Sequence, residues 1–425
     1  MADGADSAAD RTRWLVEDRF GLFIHWGIYA AAARHEWVKS REKLTDEQYQ
    51  RYFDHFDPDL HDPAEWAETA WQAGMRYFVI TTKHHDGFCL WDSALTDYKA
   101  TNTPYGRDLL RPMVEAFRNR GFKVGFYHSL LDWHHPDFPI DLYHPQRDLD
   151  DIGERDMATY VDYLHGQVRE LLTQFGRIDV MWFDFSYPGR GRNAKGRNDW
   201  QSEKLLAMVR ALQPHIIVNN RLDLGAGDLV TPEQVQPTGA VVDADEPQVP
   251  WEACQTLNGS WGYDRDNLDW KSTDLLVRML VDGVSKGGNL LLNVGPTARG
   301  EFEPRAVERL RGIGEWMRRH ERSIRGAGPS GFTPPADCRY TQVGNRLFLH
   351  LFSWPMRHVH LAGLAGKVAY AQFLHDASEV TVLTADAAEP GHMQVSGGEG
   401  ALTLELPIQR PDVTVPVVEL FLAEG

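Results

Sequence analysis

The stretch MWFDFSYPG, from Met181 to Gly189, decides how we interpret this chain. The mainly apolar run Ile178–Phe183 predicts a buried strand, and Asp184 stands at its carboxyl end, directly before residues that break strands. A carboxylate beside aromatic groups at the rim of a sheet is poorly placed for packing and well placed to attack a substrate. Because the chemistry of barrel enzymes lies where the strands end, we place the candidate site at this edge.

Outward from this stretch, apolar strand-like segments alternate with helical ones, which indicates parallel strands covered by helices. Asp62 as a cap, Pro63 in the first turn and Glu65 three residues after the cap predict one helix start. The fold class we predict is α/β, an (α/β)8-like TIM barrel. The strands are predicted at 21–27, 77–85, 122–129, 177–185, 215–221, from about Trp251, and at 289–295, and the helices at 62–74, 109–120, 155–175, 199–212, from Ser272 or Thr273 to Gly287, and at 304–319.

The pattern changes after about Gly326. GPSGFTPP, Gly328 to Pro335, is typical of a linker, and six short segments of alternating polarity follow between Arg339 and Glu424. They predict a small antiparallel β-sandwich. We therefore divide the chain into a catalytic barrel, residues 1–326, and a C-terminal β-sandwich, residues 327–425.

Charge and cysteine content narrow the class of protein. The chain has 425 residues and a net charge of -17, which argues against nucleic acid and anionic membranes as partners. Its three cysteines, Cys89, Cys254 and Cys338, lack metal-ligand spacing and indicate a reduced compartment. Since the N-terminus has no apolar signal region and no stretch is long and apolar enough to span a membrane, we expect a cytoplasmic protein.

Polar and aromatic groups stand at the carboxyl ends of five predicted strands. A single residue of this kind usually has a structural role, but five strands that end this way favour one shared pocket. In chain order the strand-end residues are His25 and Trp26, His84 to Asp86, Tyr127 and His128, Trp182 and Asp184, and Asn219 to Arg221, with Glu36 and Trp37 in the loop after the first strand.

The paired histidines raise the alternative of a metal-dependent barrel hydrolase. They are the adjacent pairs His84–His85 and His134–His135. Adjacent residues of a strand point to opposite faces, so both members of such a pair seldom reach one ion, and no HExxH motif is present. We expect no metal site, and neutral histidines that bond hydroxyl groups.

Displacement at a sugar carbon needs a second carboxyl group besides Asp184. Glu233 lies in the turn-rich segment Gly227–Gln234, and Glu252 lies at the start of the predicted sixth strand. A residue at the start of a strand lies at the end of a barrel opposite the site. That favours Glu233 and keeps Glu252 as the alternative.

Seven ordered segments identify a resemblance that covers the whole barrel, from Phe20 to Gly300. The chain resembles the α-L-fucosidases of glycoside hydrolase family 29, which implies a barrel with a C-terminal β-sandwich and retaining hydrolysis of α-L-fucosides without a cofactor. The segments are FGLFIHWG, TTKHHDGFCLW, GFYHSLLDW, MWFDFSYP, NNR followed by GDLVTPE, WEACQTLNGSWGY and GGNLLLNVGPTARG.

The resemblance also implies roles for single residues. It implies that Asp184 is the nucleophile and, from the TPE segment, that Glu233 is the general acid/base. It places Trp261 under the apolar face of fucose, where the C5 methyl group lies. The remaining substrate-binding residues that it implies are His25, Glu36, Trp37, His84, His85, Tyr127, Trp182 and Arg221.

The basic insertion Gly189–Arg197 departs from the family, and we interpret the loop Pro188–Asp199 as a flexible flap beside the site. A transfucosidase or a related glycosidase of the same fold is the alternative function, and a non-catalytic carbohydrate-binding protein is disfavoured because both carboxylates are present. The expected partner is a fucosylated oligosaccharide. A homo-oligomer is compatible with the sequence, whereas nucleic acid and membranes are not expected partners.

Overall fold

The computed structural model describes residues 7–149, 153–239, 249–383 and 398–423. In this part of the chain, one curled sheet of seven parallel strands follows the order β5-β4-β3-β2-β1-β7-β6. It confirms the predicted barrel-like α/β fold. The strands are β1 (Phe20–Ile24), β2 (Tyr77–Lys83), β3 (Lys123–Ser129), β4 (Val180–Asp184), β5 (Ile217–Val218), β6 (Glu252–Thr256) and β7 (Asn289–Val294).

An irregular segment, residues 228–234, lies between the edge strands β5 and β6. It pairs with the end of β5 through Asn219 and Leu229, and with the β6 side through Val230 and Trp251 and through Glu233 and Cys254. The backbone N–H of Cys254 donates to Pro232 O at 3.0 Å. The segment that the sequence predicts as a loop thus bonds both edges of the sheet and takes the place of an eighth strand.

The fifth strand is shorter than the predicted 215–221, and Asn219 gives the reason. Its side-chain amide oxygen accepts from the N–H of Phe183 at 3.0 Å and its amide nitrogen donates to the carbonyl of Phe183 at 2.9 Å, while the backbone N–H of Asn219 keeps only a long bond of 3.5 Å to Met181 O of β4. Residues Asn220–Leu222 then form a 3-10 turn. Arg221 consequently lies on a turn at the rim of the sheet.

Helices cover the outside of the sheet, and two of them begin at the predicted caps. The Asp62 side chain accepts from the N–H groups of Ala64 and Glu65, and the Ser272 hydroxyl accepts from the N–H of Leu275. The helices are α1 (Ala8–Asp18), α2 (Tyr29–Ala32), α3 (Val38–Arg41), α4 (Asp46–Asp54), α5 (Pro63–Gln72), α6 (Leu110–Arg120), α7 (Met157–Gln174), α8 (Ser202–Leu212), α9 (Thr273–Ser285) and α10 (Pro304–His320). Among the described residues, no helix is both long and apolar enough to cross a membrane.

The interior of the barrel has its own packed core, which α1 closes at the amino end of the strands. Trp14 of α1 packs edge-on against Tyr77 at 5.6 Å between ring centroids, and Asn289 donates to the carbonyl of Leu15 at 2.7 Å. Gly21 makes room for this layer, because a Cβ atom there would lie 2.3 Å from the Tyr77 ring. Tyr77 can therefore reach across the interior.

Two antiparallel sheets form the C-terminal part and confirm the predicted sandwich. The strand Val368–Phe373 was not predicted, because its two alanines weaken the strand signal. One of the six predicted segments spans residues 380–385, and its last two residues lie outside the described residues. One sheet has the order β11-β14-β9-β8 and the other β10-β13-β12. The strands are β8 (Cys338–Val343), β9 (Arg346–Leu351), β10 (His358–Leu361), β11 (Val368–Phe373), β12 (Thr381–Leu383), β13 (Leu402–Glu405) and β14 (Val417–Leu422).

The C-terminal sheets pack directly on the helices of the barrel. The Trp316 indole of α10 donates to the carbonyl of Val415 at 3.1 Å, and Arg339 of β8 pairs with Asp282 of α9 at 2.6 Å. Gly328, in the connection between the two parts, pairs with Gln342 of β8. The domain boundary at residue 326 stays a prediction.

Candidate active site

A pocket of about 400 Å³, including its open mouth, lies at the carboxyl ends of the barrel strands. This size is in the range of small-ligand sites. The sequence-predicted residues that line it are His25, Trp37, His84, His85, Tyr127, Trp182, Asp184, Glu233 and Trp261, and Phe23 and Phe185 complete the lining. The structure thus brings both candidate catalytic carboxylates and seven of the predicted binding residues into one pocket.

Asp184, the last residue of β4, is held from two sides. Arg221 Nη1 donates to Asp184 Oδ1 at 2.8 Å, and the Tyr127 hydroxyl donates to Asp184 Oδ2 at 2.7 Å. Burial raises the pKa of Asp184 to about 6, while Arg221 lowers it, the Glu233 charge raises it and the Tyr127 hydrogen bond lowers it. The group is therefore largely ionised at neutral pH, as a nucleophile must be.

Arg221 joins the two carboxylates through one atom. The same Nη1 that bonds Asp184 also donates to Glu233 Oε2 at 2.9 Å. The two acceptor oxygens therefore lie no more than 5.7 Å apart, the two bonds laid end to end. Nε and Nη2 of Arg221 are bound to the hydroxyl and the carbonyl of Thr231, both at 3.1 Å. These contacts fix the guanidinium group beside the carboxylates.

Glu233 combines a fixed backbone with an open side chain. Its main chain pairs with Cys254 of β6, while its side chain is 42% exposed at the mouth of the pocket. A carboxyl group in this position is accessible to an entering or departing group. Asp184, in contrast, is buried below it.

The three histidines of the pocket are buried and neutral. His25 Nδ1 bonds Asn293 Oδ1 at 2.7 Å, and His85 Nδ1 bonds the Ser129 hydroxyl at 2.6 Å. Burial lowers the pKa of His25 to about 3 and lowers the pKa of His84 and His85 well below the ordinary value. Their Nε2 atoms are not used in these bonds, and His85 Nε2 lies 3.8 Å from Asp184 Oδ2. Neutral rings of this kind suit hydroxyl groups better than anions.

Aromatic rings form the walls of the pocket. The Tyr127 ring stacks on that of Trp182 with centroids 5.6 Å apart, and His84 also stacks on Tyr127 at the same distance. Trp261 packs against His25 at 5.1 Å. Phe23 and Phe185 were missed as lining residues, although each is adjacent to a strand-end position, one residue after Asp184 in the case of Phe185.

Glu36 does not line the pocket. It is 3% exposed, and its carboxylate accepts from the backbone N–H of Gly262 at 2.7 Å. Burial raises its pKa, and the Gly262 hydrogen bond opposes that shift. Glu36 thus supports the segment that presents Trp261, next to Gly262 in the chain, and its contact with the substrate stays a prediction.

Glu252 lies away from the pocket, at the amino end of the barrel interior. It is the first residue of β6 and is 1% exposed. The Tyr77 hydroxyl donates to its carboxyl group. The alternative acid/base residue is thus at the opposite end of its strand from the site.

The loop Pro188–Asp199 is anchored, contrary to the flexible flap that the sequence suggests. Lys195 in its centre is 2% exposed, and Nζ donates to the carbonyl of Pro139 at 3.1 Å and pairs with Asp141 at 3.3 Å. Asn193 donates to the carbonyl of Ile140 at 2.7 Å. A buried lysine tied to a neighbouring segment fixes the loop, while its arginines remain at the surface.

The second histidine pair lies outside the pocket. The His134 ring stacks on Tyr98 at 3.8 Å, and His135 packs against Tyr163 at 4.4 Å. Within the described ranges, no three His, Cys, Asp or Glu residues are grouped so that they could hold a metal ion.

Comparisons with known proteins agree with this geometry. The family model described as "Alpha-L-fucosidase" matches residues 3–322. The structure of α-L-fucosidase isoenzyme 1 from Paenibacillus thiaminolyticus superposes with a TM-score of 0.92 and 46% identity, covering 98% of this chain and 100% of that one. A Bacteroides thetaiotaomicron enzyme, solved as a trapped covalent intermediate with 2-fluoro-fucosyl fluoride, gives a TM-score of 0.83 at 28% identity, covering 100% of this chain and 98% of that one.

Relatives of known activity span most of the chain as well. Human tissue α-L-fucosidase is 28% identical over 373 residues, which are 80% of this chain and 76% of the human protein. A family model that covers the whole barrel, together with a shared fold over the full length, decides the classification. The chain belongs to the α-L-fucosidase family of glycoside hydrolases.

Proposed function

We propose that this protein is a retaining α-L-fucosidase that cleaves terminal α-L-fucose from fucosylated oligosaccharides, with Asp184 as nucleophile and Glu233 as general acid/base. The observation that supports this best is the shared Arg221 Nη1 atom, which keeps the two acceptor oxygens within 5.7 Å of each other. Retaining enzymes have carboxyl groups about 5–5.5 Å apart, whereas inverting enzymes need room for a water molecule between them. The relative trapped as a covalent intermediate supports the same stereochemical course.

In the first step, Asp184 attacks the anomeric carbon of the fucoside. The bond between this carbon and the leaving oxygen breaks, and Glu233 donates its proton to that oxygen. Arg221 and Tyr127 hold Asp184 in place and stabilise its ionised form. The product of this step is a covalent fucosyl-enzyme and a free aglycone.

In the second step, the roles reverse. Glu233, now ionised, takes a proton from a water molecule that enters where the aglycone left. The water oxygen bonds the anomeric carbon as the bond to Asp184 breaks, so fucose leaves with its original configuration. The exposed position of the Glu233 side chain suits both the departing aglycone and the entering water.

The walls of the pocket account for the choice of sugar in this proposal. The neutral rings of His25, His84 and His85 bond the hydroxyl groups through nitrogen atoms that face the pocket. Trp261 packs on the C5 methyl group, and one methyl group in an apolar pocket contributes about 1–3 kcal/mol of discrimination. Trp37 and Phe185 border the same pocket, where the aglycone leaves.

The catalytic roles are tested with two variants and a series of aryl α-L-fucosides. We expect Asp184→Gly to fold and to lose turnover, and added azide to restore part of it as a fucosyl azide. We expect Glu233→Ala to lose little activity on substrates with good leaving groups and much on poor ones, because only poor leaving groups need the proton. Wild-type turnover by folded Asp184→Gly would contradict the nucleophile assignment.

Transfer of fucose to an acceptor other than water is the second reaction that this site could perform. An assay with fucosylated disaccharides, alone and with an added sugar acceptor, separates hydrolysis from transfer and gives the linkage preference. The cytoplasmic location and a homo-oligomeric state stay predictions.

A further inference from the structure

A buried carboxyl group in the barrel interior has no part in the mechanism above. Glu252 is 1% exposed and accepts a hydrogen bond from the Tyr77 hydroxyl. An unpaired charge in such a place is costly, and burial raises the pKa of Glu252 to about 7. Burying an apolar side chain at the start of a barrel strand costs less free energy than burying a carboxyl group, so the presence of Glu252 there needs an explanation.

Trp182 lies between Glu252 and the pocket. The indole N–H of Trp182 is buried without a hydrogen bond of standard geometry. Trp182 lies in the same buried cluster of the barrel interior as Tyr77, which donates to Glu252, and the interaction of the Trp182 N–H with the Glu252 carboxyl lowers the pKa of that group. On its pocket side, the Trp182 ring stacks on Tyr127 at 5.6 Å, and the Arg221 guanidinium lies over it at 4.6 Å. These two neighbours, Tyr127 and Arg221, are the groups that bond the two oxygens of Asp184.

We infer that Glu252 is a positioning residue for the displacement: together with Tyr77 it fixes the Trp182 ring from below, and this ring fixes Tyr127 and Arg221 against Asp184. The inference rests on the proposed role of Asp184 as nucleophile. It gives Glu252 a different function from the acid/base role that the sequence left open, because no atom of Glu252 reaches the pocket lining.

The position of Trp182 matters because small displacements of groups at a reacting centre lower the reaction rate strongly. A misplacement of about 1 Å can lower a rate by about 100-fold. Without the carboxyl group below it, the Trp182 ring is free to tilt, and both Tyr127 and Arg221 lose their support. The attack by Asp184 then slows for good and poor leaving groups alike, because the nucleophile is displaced. Arg221 also bonds Glu233, but the backbone pairing of Glu233 with Cys254 keeps the proton donor in place.

A second consequence concerns the pH dependence of turnover. Arg221 and the Tyr127 hydrogen bond both lower the pKa of Asp184, so loosening them raises it, and the acidic limb of the rate profile moves to higher pH. The titratable groups that act on Glu252 or on its partner are Tyr77 of β2, Cys254 of β6, and Asp18 and Arg19 at the end of α1. Of these, Cys254 also interacts with Arg221, so the shift must be compared among variants that keep this cysteine.

The decisive experiment measures kcat, KM and the acidic limb on aryl fucosides of good and poor leaving groups. For Glu252→Leu we expect kcat to fall about 10–100-fold, equally for both substrates, with the acidic limb at higher pH. For Glu252→Gln, which keeps a polar acceptor of the same shape, we expect kcat within about three-fold of the wild type and an unmoved limb. Glu419→Leu is the matched control, because Glu419 is a fully buried carboxylate of the C-terminal sheet, paired with Arg346, far along the chain from the site. It should lower the unfolding temperature and leave kcat and the limb unchanged.

Two outcomes would contradict the inference. A folded Glu252→Leu with wild-type kcat and limb would overturn it, and so would a loss in Glu252→Gln confined to poor leaving groups, which would make Glu252 a proton donor. Should Glu252→Leu not fold, Tyr77→Phe decides, because it removes only the hydroxyl that donates to Glu252: we expect a loss of about three-fold and the same shift of the limb, and an unchanged profile would contradict us. If instead Asp184→Gly stays active, the proposed function has failed and not this inference alone.

Discussion

At the scale of single residues, the pocket shows which roles local sequence can predict. His25, Tyr127 and Asp184 lie in the last three residues of an apolar strand or directly after it, and parallel strands deliver such residues to one rim, so their meeting could be foreseen. Glu36 could not be placed in this way, because its partner is the backbone N–H of Gly262, 226 positions away. A contact of that kind has no local sequence signal.

Asp184 also shows that a catalytic group can lower the stability of the fold. Its pKa in the folded protein, about 6, lies above its ordinary value of 3.8, because burial disfavours the charge. A carboxyl group with a raised pKa contributes stability that is present at pH below its unfolded value and is lost as the pH rises through the folded value. The ionised nucleophile therefore destabilises the fold at neutral pH.

Asp184→Asn removes this cost, because the amide is neutral at every pH. Relative to the wild type, we expect the variant to gain free energy of unfolding between pH 4 and pH 8, by about 3 kcal/mol at most. Denaturant unfolding of both proteins at the two pH values measures this difference, since groups that do not interact with Asp184 titrate alike in both. An equal offset at pH 4 and pH 8 would show that burial does not strain Asp184.

At the scale of elements, caps and apolar periodicity predicted α5 to α10, whereas α1 to α4 were not predicted and two irregular segments beside the site were misinterpreted. Residues 228–234 follow Gly227 and contain an aspartate and a proline, all typical of a turn, and the segment nevertheless pairs with both edges of the sheet. Local strand propensity predicts such a segment poorly, because the backbone groups at the edges of β5 and β6 pair with the segment whatever its propensity. Glu233 thus gains a fixed backbone that a free loop would not give.

The loop Pro188–Asp199 was wrongly predicted to be flexible. Its glycines favour flexibility, but the contacts of one buried side chain, Lys195, fix the loop. Lys195→Ala removes the ammonium group that pairs with the fully buried Asp141 carboxylate. We expect a loss of about 2–3 kcal/mol of unfolding free energy, and no more, because Asp141 keeps the Tyr187 hydroxyl and a backbone N–H as hydrogen-bond donors. We also expect faster hydrogen exchange of the loop amides. Lys204→Ala, at an exposed lysine of α8, is the control and should change neither quantity. Unaltered exchange in Lys195→Ala would mean that this lysine does not anchor the loop.

At the scale of the whole molecule, the C-terminal sheets have a core of their own and also contribute residues to the core of the barrel. Phe348, Leu374, Val415 and Val417 of the C-terminal part belong to the same apolar cluster as the outer face of the barrel. The sequence predicted two parts with a linker, but it could not show this contact, because the apolar residues on each side look like ordinary interior residues of their own part. Shared burial of this kind couples the unfolding of the two parts.

Trp316 lies at the centre of that junction, 3% exposed, with its indole bonded to the carbonyl of Val415. We expect Trp316→Ala to cost about 3–5 kcal/mol of unfolding free energy and to lower the temperature of one common transition, seen alike by calorimetry and by loss of turnover. Trp354→Ala is a control of equal size, because Trp354 is half-buried and packs on Phe373 within the C-terminal part, and its effect should be smaller. Two separate transitions in Trp316→Ala, with the loss of turnover at the wild-type temperature, would show that the barrel is stable without its partner sheets. A single lowered transition would mean that the pocket depends for its stability on the C-terminal part, although neither Trp316 nor Val415 lines it.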